Sequence, residues 1–166
     1  MFKKTLIAMT LVGSSFCAFG AEVPITGNVE SKCIVQTDTL GVYGNPTPSV
    51  LSTDNVDGGM TPIVRFDVIQ ASFYKARITY PNAFSSSPAL SDIPTWTGSV
   101  AVGQVSDTNM SAYSSALVTY DNVTEVDLTV AGSTWFEITS RVDYGYTTAL
   151  PAGTYRAILS AECIAL

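Results

Sequence analysis

Residues 64–80, VRFDVIQASFYKARITY, carry the pattern that decides the fold. In the first half of this stretch, apolar Val64, Phe66 and Val68 alternate with charged residues. In the second half, apolar or aromatic residues alternate with polar ones in the same way, at Tyr74, Ala76, Ile78 and Tyr80. A period of two residues is typical of a strand with one buried and one solvent-facing side, so the stretch predicts two β-strands.

The same alternation recurs through the rest of the chain. Further positions of this kind, all apolar except Thr124, are Val100, Val102, Thr124, Val126, Leu128, Val130, Phe136, Ile138 and Val142. Residues 154–166 are almost entirely compatible with a strand, and turn residues rich in Gly, Pro and Asn separate the runs at 44–46, 57–59, 131–133 and 151–153. Short, evenly spaced strands of this kind predict an all-β protein, a sandwich or a barrel.

Residues 81–98, PNAFSSSPALSDIPTWTG, are too long for a tight turn. Long loops are uncommon and often functional. The stretch is predicted to be a loop that contains Phe84, Ile93 and Trp96. We favour a lid, with these side chains covering one end of the sandwich, over a binding loop.

The first twenty residues have the layout of a secretory signal peptide. Lys3 and Lys4 form a positive start, and residues 6–12 form an apolar core that is too short to span a bilayer. Small residues at Ala18 and Gly20 then place the cleavage after Gly20. Lipoprotein processing before Cys17 is the rival interpretation, and the bulky residue ahead of that cysteine disfavours it.

The mature chain of 146 residues suits one domain, and it is strongly acidic. It keeps six basic residues against fourteen acidic ones, so its formal charge is −8. Such a chain is poorly suited to follow a phosphate backbone or an anionic lipid surface. Nucleic acid is therefore not an expected partner.

Cys33 and Cys163 remain once Cys17 is removed with the signal peptide. Two cysteines in an oxidising compartment usually pair, and a loop this long would gain roughly 4–5 kcal/mol on chain-entropy grounds. We predict an intramolecular disulfide that places the first and last strands side by side. Free thiols and pairing between subunits are the alternatives.

The sequence lacks several features that enzyme sites commonly use. There is no histidine, which is the commonest general base and transition-metal ligand. Neither mature cysteine lies in a CxxC motif, and no phosphate-cradling glycine motif occurs. We therefore expect no enzyme activity, no metal and no cofactor.

Two weaker signals each have a simpler explanation. Residues 54–59, DNVDGG, resemble the start of a calcium loop, but Arg65 stands where such a loop needs a glutamate, which favours an ordinary turn. Trp96, Tyr144 and Tyr146 are the candidates for a carbohydrate contact, because exposed aromatic rings stack on sugars. The two tyrosines precede the last strand and can equally pack on a sheet edge.

Motifs at the two ends of the chain carry a family resemblance. Residues 27–35, GNVESKCIV, are followed by residues 40–44, LGVYG. Residues 150–155, LPAGTY, precede alternating small and apolar residues, and Gly153 is the fourteenth residue from the end. In these features the chain resembles chaperone–usher pilus subunits (pilins) of the archaic or spore-coat-U-like branch.

The resemblance implies an Ig-like β-sandwich that lacks one strand and has a hydrophobic groove along an exposed edge. Residues 1–20 would be the signal peptide, residues 21–30 a donor-strand extension and residues 31–166 the pilin domain. In such assemblies a periplasmic chaperone fills the groove first, and the extension of the next subunit then replaces it. The extension here presents Val23, Ile25 and Val29 on one face, with Gly27 between them.

The implied function is structural: a subunit of a bacterial surface fibre that serves adhesion. Its expected partners are identical subunits, a periplasmic chaperone, an outer-membrane usher and a carbohydrate on a host or other surface. It would be exported to the periplasm and then to the cell surface. The alternative is a self-contained secreted β-sandwich binding module, a tip adhesin or carbohydrate binder, which packs residues 21–30 on itself.

Overall fold

The computed structural model describes residues 24–27, 33–107, 118–119, 122–145 and 148–166. The chain divides into two compact units, Met1–Glu30 and Ser31–Leu166, and every described strand belongs to the second. Within the described ranges, no helix is long and apolar enough to cross a membrane.

In its described residues the second unit is all-β, apart from one turn of 3₁₀ helix at Asn55–Asp57. The described strands are, in chain order, β1 (Cys33–Thr39), β2 (Gly44–Thr47), β3 (Val50–Ser52), β4 (Ile63–Val68), β5 (Tyr74–Thr79), β6 (Thr95–Val105), β7 (Val118–Thr119), β8 (Val123–Leu128), β9 (Gly132–Asp143) and β10 (Ser160–Ala165).

The strands form two antiparallel sheets. The larger sheet is built around β9, the longest strand, which pairs along one edge with β4 and β3 and along the other with β6. β1 extends this sheet beyond β4, β2 beyond β3, and β7 beyond β6. The smaller sheet has the order β10-β5-β8. The all-β prediction is confirmed, and the architecture is a β-sandwich.

The inner faces of the two sheets share one hydrophobic core. Phe66 of β4 and Phe136 of β9 pack edge to face with their ring centroids 5.4 Å apart, and both are almost fully buried. The smaller sheet contributes Ala76, Ile78 and Leu128 from the opposite side. Burying a side chain of this size is worth roughly 1.5–3 kcal/mol, so the core supplies the main driving force for the sandwich.

The alternation that predicted the strands matches their burial. Along β4 the buried residues are Val64, Phe66 and Val68, and along β5 buried and half-buried residues alternate from Tyr74 onward. The solvent-facing positions of β5 and its neighbours carry ion pairs, such as Arg77 with Glu125 at 2.6 Å. Each sheet therefore has one apolar and one charged side, as the two-residue period predicts.

One prediction about a strand end is wrong. The sequence predicts Trp96 in a loop, but β6 begins at Thr95, because β9 is long enough to pair with residues 95 and 96 at Asp143 and Val142. Residues 154–166 are almost entirely compatible with a strand, and within them β10 begins at Ser160. Ser160 is opposite Thr79, the final residue of β5, so the residues before it extend past their neighbouring strand.

Residues 54–59 form a turn, and this interpretation is confirmed. The Asp54 carboxylate accepts a hydrogen bond from the Val56 N–H at 3.1 Å and so caps the short 3₁₀ turn. Gly58 ends the turn with φ at 78°, a left-handed conformation that glycine adopts without strain. The acidic and glycine residues of this segment therefore have a local structural role.

Candidate functional site

The predicted disulfide is present between Cys33 at the start of β1 and Cys163 in β10. Its Cα atoms are 6.1 Å apart. The two strands are neighbours, but they belong to different sheets, so they are not paired side by side as strands of one ladder. The bridge joins the edge of the larger sheet to the edge of the smaller one.

Both bridged strands have an open edge. Among the described residues, β1 pairs only with β4, and β10 pairs only with β5. Residues 154–159 precede β10 and join neither sheet, apart from an isolated bridge between Arg156 and Ser86. Backbone N–H and C=O groups at such edges are available to another strand, which makes an open edge a docking or aggregation surface.

A groove of about 410 Å³ lies between β1 and the residues that precede β10. Its walls come from β1 and the residues after it on one side and from the residues before β10 on the other. The lining includes Thr37, Thr39, Leu40, Gly41, Tyr43, Thr53, Pro62, Val64, Pro81, Ser140, Arg156, Ala157, Ile158 and Leu159. Because Val64 belongs to the buried core, the groove reaches the interior of the sandwich.

The floor of the groove is partly polar. The hydroxyl groups of Tyr43 and Ser140 are 3.1 Å apart and share a hydrogen bond. The Ser140 N–H donates to the Thr53 hydroxyl at 2.8 Å, and both residues are buried. Burial raises the pKa of Tyr43 above its usual value, against the opposing effect of the Ser140 hydrogen bond. The polar groups of this floor form hydrogen bonds with one another. The apolar walls are therefore the part of the groove that can receive side chains from another chain.

The mouth of the groove exposes large apolar side chains. Leu40 is 76 % exposed and Ile158 is 58 % exposed, and they line the groove from opposite walls. A second cavity of about 340 Å³ continues from this end and shares Tyr43 and Arg156 with the groove. Exposed apolar side chains around a cavity that opens to the core are typical of a surface that binds another chain.

Gly153 lies at the far end of the second cavity, where a glycine is required. Its φ is 154°, which other residues rarely adopt, and a Cβ there would lie 2.5 Å from the Cγ of Pro88. The loop that contains Pro88 therefore packs directly against the segment that leads into β10. This is the glycine that carries part of the family resemblance.

An aromatic cluster holds the long loop against the same segment. Phe84 packs on Trp96 and on Tyr155, with centroid distances of 4.9 Å and 5.0 Å. The Tyr155 hydroxyl donates to the Pro151 carbonyl at 2.6 Å. Two of the three lid residues thus pack as a cluster, whereas Ile93 is 89 % exposed. The indole nitrogen of Trp96 is buried and has no hydrogen-bond partner among the described residues.

The aromatic candidates for a carbohydrate contact do not share one exposed surface. Tyr144 is only 2 % exposed, and its hydroxyl accepts hydrogen bonds from the backbone N–H groups of Ser91 and Asp92. The side-chain hydrogen bond with Ser91 lowers the pKa of Tyr144. Trp96 is half-buried under Phe84, and Tyr146 lies outside the described residues.

The described part of the predicted donor extension is exposed. Ile25 is 98 % exposed, and residues 24–27 form no helix or strand. The other two predicted donor residues, Val23 and Val29, lie outside the described residues.

The residues that shape the groove are not singled out by the sequence patterns: Leu40, Tyr43, Arg156 and Ile158. Leu40 and Tyr43 fall within motif 40–44, where only the family resemblance draws attention to them. Arg156 is the single charge between residues 144 and 161, a run that is otherwise apolar or neutral. That isolated charge is the signal that could have identified the site.

Neither a known protein family, nor a curated protein, nor a solved structure matches the chain. The function must therefore be argued from the groove itself. Among the described residues, no cluster of three or more metal-ligating side chains competes with it as a site.

Proposed function

We propose that the protein is a structural subunit of a bacterial surface fibre, in which residues 21–30 of one copy fill the groove of the next. On this proposal the sandwich is an Ig-like fold that lacks one strand. The fibre serves adhesion, and the subunit travels through the periplasm to the cell surface. A periplasmic chaperone would cover the groove until polymerisation, and an outer-membrane usher would guide assembly.

The observation that carries the proposal is the groove between β1, which has an open edge, and the segment that leads into β10. A sandwich that is complete in itself would place its own chain there, because an unpaired edge beside a cavity into the core loses both backbone hydrogen bonds and apolar burial. In the described residues this position is open, and Leu40 and Ile158 border it in exposed conformations. Addition of a strand from another chain would supply both missing contributions.

The extension has the composition of such a strand. Val23, Ile25 and Val29 alternate with other residues, so a strand formed by residues 21–30 directs all three to one side. Burying them in the groove would contribute roughly 1.5–3 kcal/mol each. Among the described residues of the extension, Ile25 is 98 % exposed.

Replacement of Ile25 by Asp tests the proposal in the purified mature chain. The variant places an unpaired charge where an apolar side chain should enter the groove, so it should abolish the heat-resistant ladders that the wild type forms on electrophoresis. Its melting temperature as a monomer should be unchanged, because Ile25 is 98 % exposed.

Ile93→Asp is the matched control. Ile93 is 89 % exposed and does not line the groove, so the same change there should leave the ladders intact. Ladders of equal length from wild type and Ile25→Asp would refute the proposal.

A further inference from the structure

Trp135 is a large aromatic side chain on the outer face of the larger sheet. Its neighbours in β9, Thr134 and Phe136, are buried in the core. Because successive side chains of a strand point to opposite faces, Trp135 is directed away from the core, where it is half-buried. Part of this residue therefore faces solvent.

The Trp135 ring is held in place by groups on β1 and β4. Its indole N–H donates to the Asp38 carboxylate of β1. The guanidinium carbon of Arg65 in β4 lies 5.7 Å from the ring centroid, and Arg65 is itself held by Asp67 at 3.1 Å and by the Gln36 amide oxygen at 2.6 Å. A side chain that is already ordered loses little conformational entropy when it binds a ligand. Trp135 is therefore a preorganised aromatic surface.

Two polar side chains beside this ring have no partner among the described residues. Gln104 of β6 is directly opposite Trp135, and Glu137 is two residues further along β9, so both lie on the same face as the ring. Both are exposed, and neither side chain forms a hydrogen bond or an ion pair with a described residue. Arg65 approaches from β4, whereas β6 pairs with the other edge of β9. Gln104 therefore lies on the side of the ring away from that cation.

A bulge in β6 brings the two polar residues together. The register of β6 against β9 shifts between Val102 and Gln104, which leaves Gly103 as the extra residue. A Cβ on Gly103 would lie 2.8 Å from the Cγ and 2.7 Å from the Cδ of Glu137, so the Glu137 side chain lies across the glycine. Gly103 and Gln104 are adjacent in the chain. The carboxylate and the residue that carries the free amide are therefore neighbours beside Trp135.

A fixed ring with a carboxylate and an amide beside it matches the chemistry of a neutral sugar. The C–H face of a sugar ring packs on an aromatic ring, and its hydroxyl groups need hydrogen-bond partners next to that ring. The Glu137 carboxylate is an acceptor, and the Gln104 amide both donates and accepts. We propose that Trp135, Glu137 and Gln104 form a binding site for a neutral carbohydrate, which stacks on Trp135 and donates hydroxyl hydrogen bonds to Glu137.

The charges around the ring favour a neutral ligand over a charged one. An anionic sugar would bring its carboxylate close to that of Glu137, and the nearby Arg65 is already paired with Asp67 and Asp38. A cationic ligand could bind to the face of the ring, but the Arg65 guanidinium already makes that interaction and would repel a second cation. A hydroxyl-rich ligand without charge meets neither obstacle.

The site is separate from the groove. None of its three residues lines the groove or the second cavity. A sugar and a donor strand could therefore be bound at the same time. In a fibre every subunit would carry one such site, and repeated sites strengthen attachment to a surface that displays many copies of the sugar. The inference goes beyond the proposed function and does not depend on it.

Calorimetric titration of the full mature chain with soluble oligosaccharides tests the site. The probes are neutral oligomers of glucose, galactose, mannose and N-acetylglucosamine, and at least one should bind saturably. Trp135→Ala removes the stacking surface and Glu137→Ala removes charge-assisted hydrogen bonds, so each should weaken this binding on the order of tenfold. Gln104→Ala should weaken it less, because hydrogen bonds between neutral groups are weaker. Melting curves show whether each variant is folded, and the exposed Glu137 keeps the test decisive if Trp135→Ala is not.

Glu162→Ala is the matched control, because Glu162 is an exposed glutamate of the smaller sheet, and it should leave the affinity unchanged. Trp96→Phe leaves Trp135 as the only tryptophan, and its fluorescence should change when the sugar is added.

Failure of every neutral oligosaccharide to bind overturns the proposal. Equal affinity of wild type and Glu137→Ala overturns the assignment of the site, and tighter binding of a sialylated oligosaccharide or of choline overturns the neutral class of ligand. None of these measurements involves ladder formation, so the proposed function stands or falls separately.

Discussion

Cys33 and Cys163 join β1 and β10, which are edge strands of different sheets, with 6.1 Å between their Cα atoms. The bridge connects residues that are 130 positions apart, so it restricts the unfolded chain strongly. One bond therefore stabilises the sandwich and ties β1, which lines the groove through Thr37 and Thr39, to the smaller sheet.

Replacement of both cysteines by serine should lower the free energy of unfolding by about 2–5 kcal/mol. Urea unfolding of the oxidised wild type and of the double variant measures the difference. Reduced wild type is the control and should unfold like the variant. Non-reducing peptide mapping should recover one cross-linked pair from monomeric wild type. An unchanged unfolding midpoint, or recovery of free thiols only, would contradict the role of the bridge.

Phe66→Ala should destabilise the sandwich by about 3–5 kcal/mol, because it leaves a cavity where two buried rings meet. Phe73→Ala makes the same change at a residue that is 53 % exposed, and it should cost about 0.5 kcal/mol. Chemical denaturation of both variants checks the comparison. Equal losses would show that the ring pair of Phe66 and Phe136 does not lie at the centre of the core.

Trp96→Phe should be neutral or stabilising by up to about 1 kcal/mol, because it keeps a ring against Phe84 and removes a buried N–H that has no partner among the described residues. Trp96→Ala should cost about 2 kcal/mol through lost packing, since the side chain is half-buried. Thermal unfolding of the two variants measures both effects. A loss for Trp96→Phe as large as for Trp96→Ala would mean that the indole N–H makes a stabilising hydrogen bond.

Tyr43 should make the protein less stable in alkali. Burial raises its pKa above 10.0, the ordinary value, so the folded state holds the proton more tightly than the unfolded state. The contribution of Tyr43 to the free energy of unfolding is therefore fully present below pH 10.0 and is lost as the pH rises through the pKa of the folded state. Tyr43→Phe should therefore lose less stability than wild type between neutral pH and strong alkali. Parallel curves of unfolding free energy against pH would contradict this.

The strands of the core could be predicted from the sequence because a half-buried strand imposes a two-residue period. Val64, Phe66 and Val68 show that period without help from distant residues. The position of Trp96 in β6 could not be predicted in this way, since it depends on the length of β9 some forty residues later. The start of β10 likewise depends on where β5 ends.

The disulfide could be predicted because Cys17 lies in the predicted signal peptide, which leaves Cys33 and Cys163 as the expected pair. The groove could not be predicted from residue patterns alone, because its walls come from segments more than a hundred positions apart. Thr37 and Leu159 have ordinary strand-like neighbours in the sequence, and only the sandwich places them on opposite walls. The polar floor formed by Tyr43 and Ser140 has the same long-range origin.

The most direct test of the account compares the full mature chain, residues 21–166, with a chain that lacks residues 21–30. If the groove receives a strand from the next copy, the full chain should form heat-resistant ladders and the shortened chain should remain monomeric. A synthetic peptide of residues 21–30 should bind the shortened chain and raise its melting temperature. If both chains are monomeric and equally stable, and the peptide has no effect, the groove receives no donor strand and the sandwich is complete in itself.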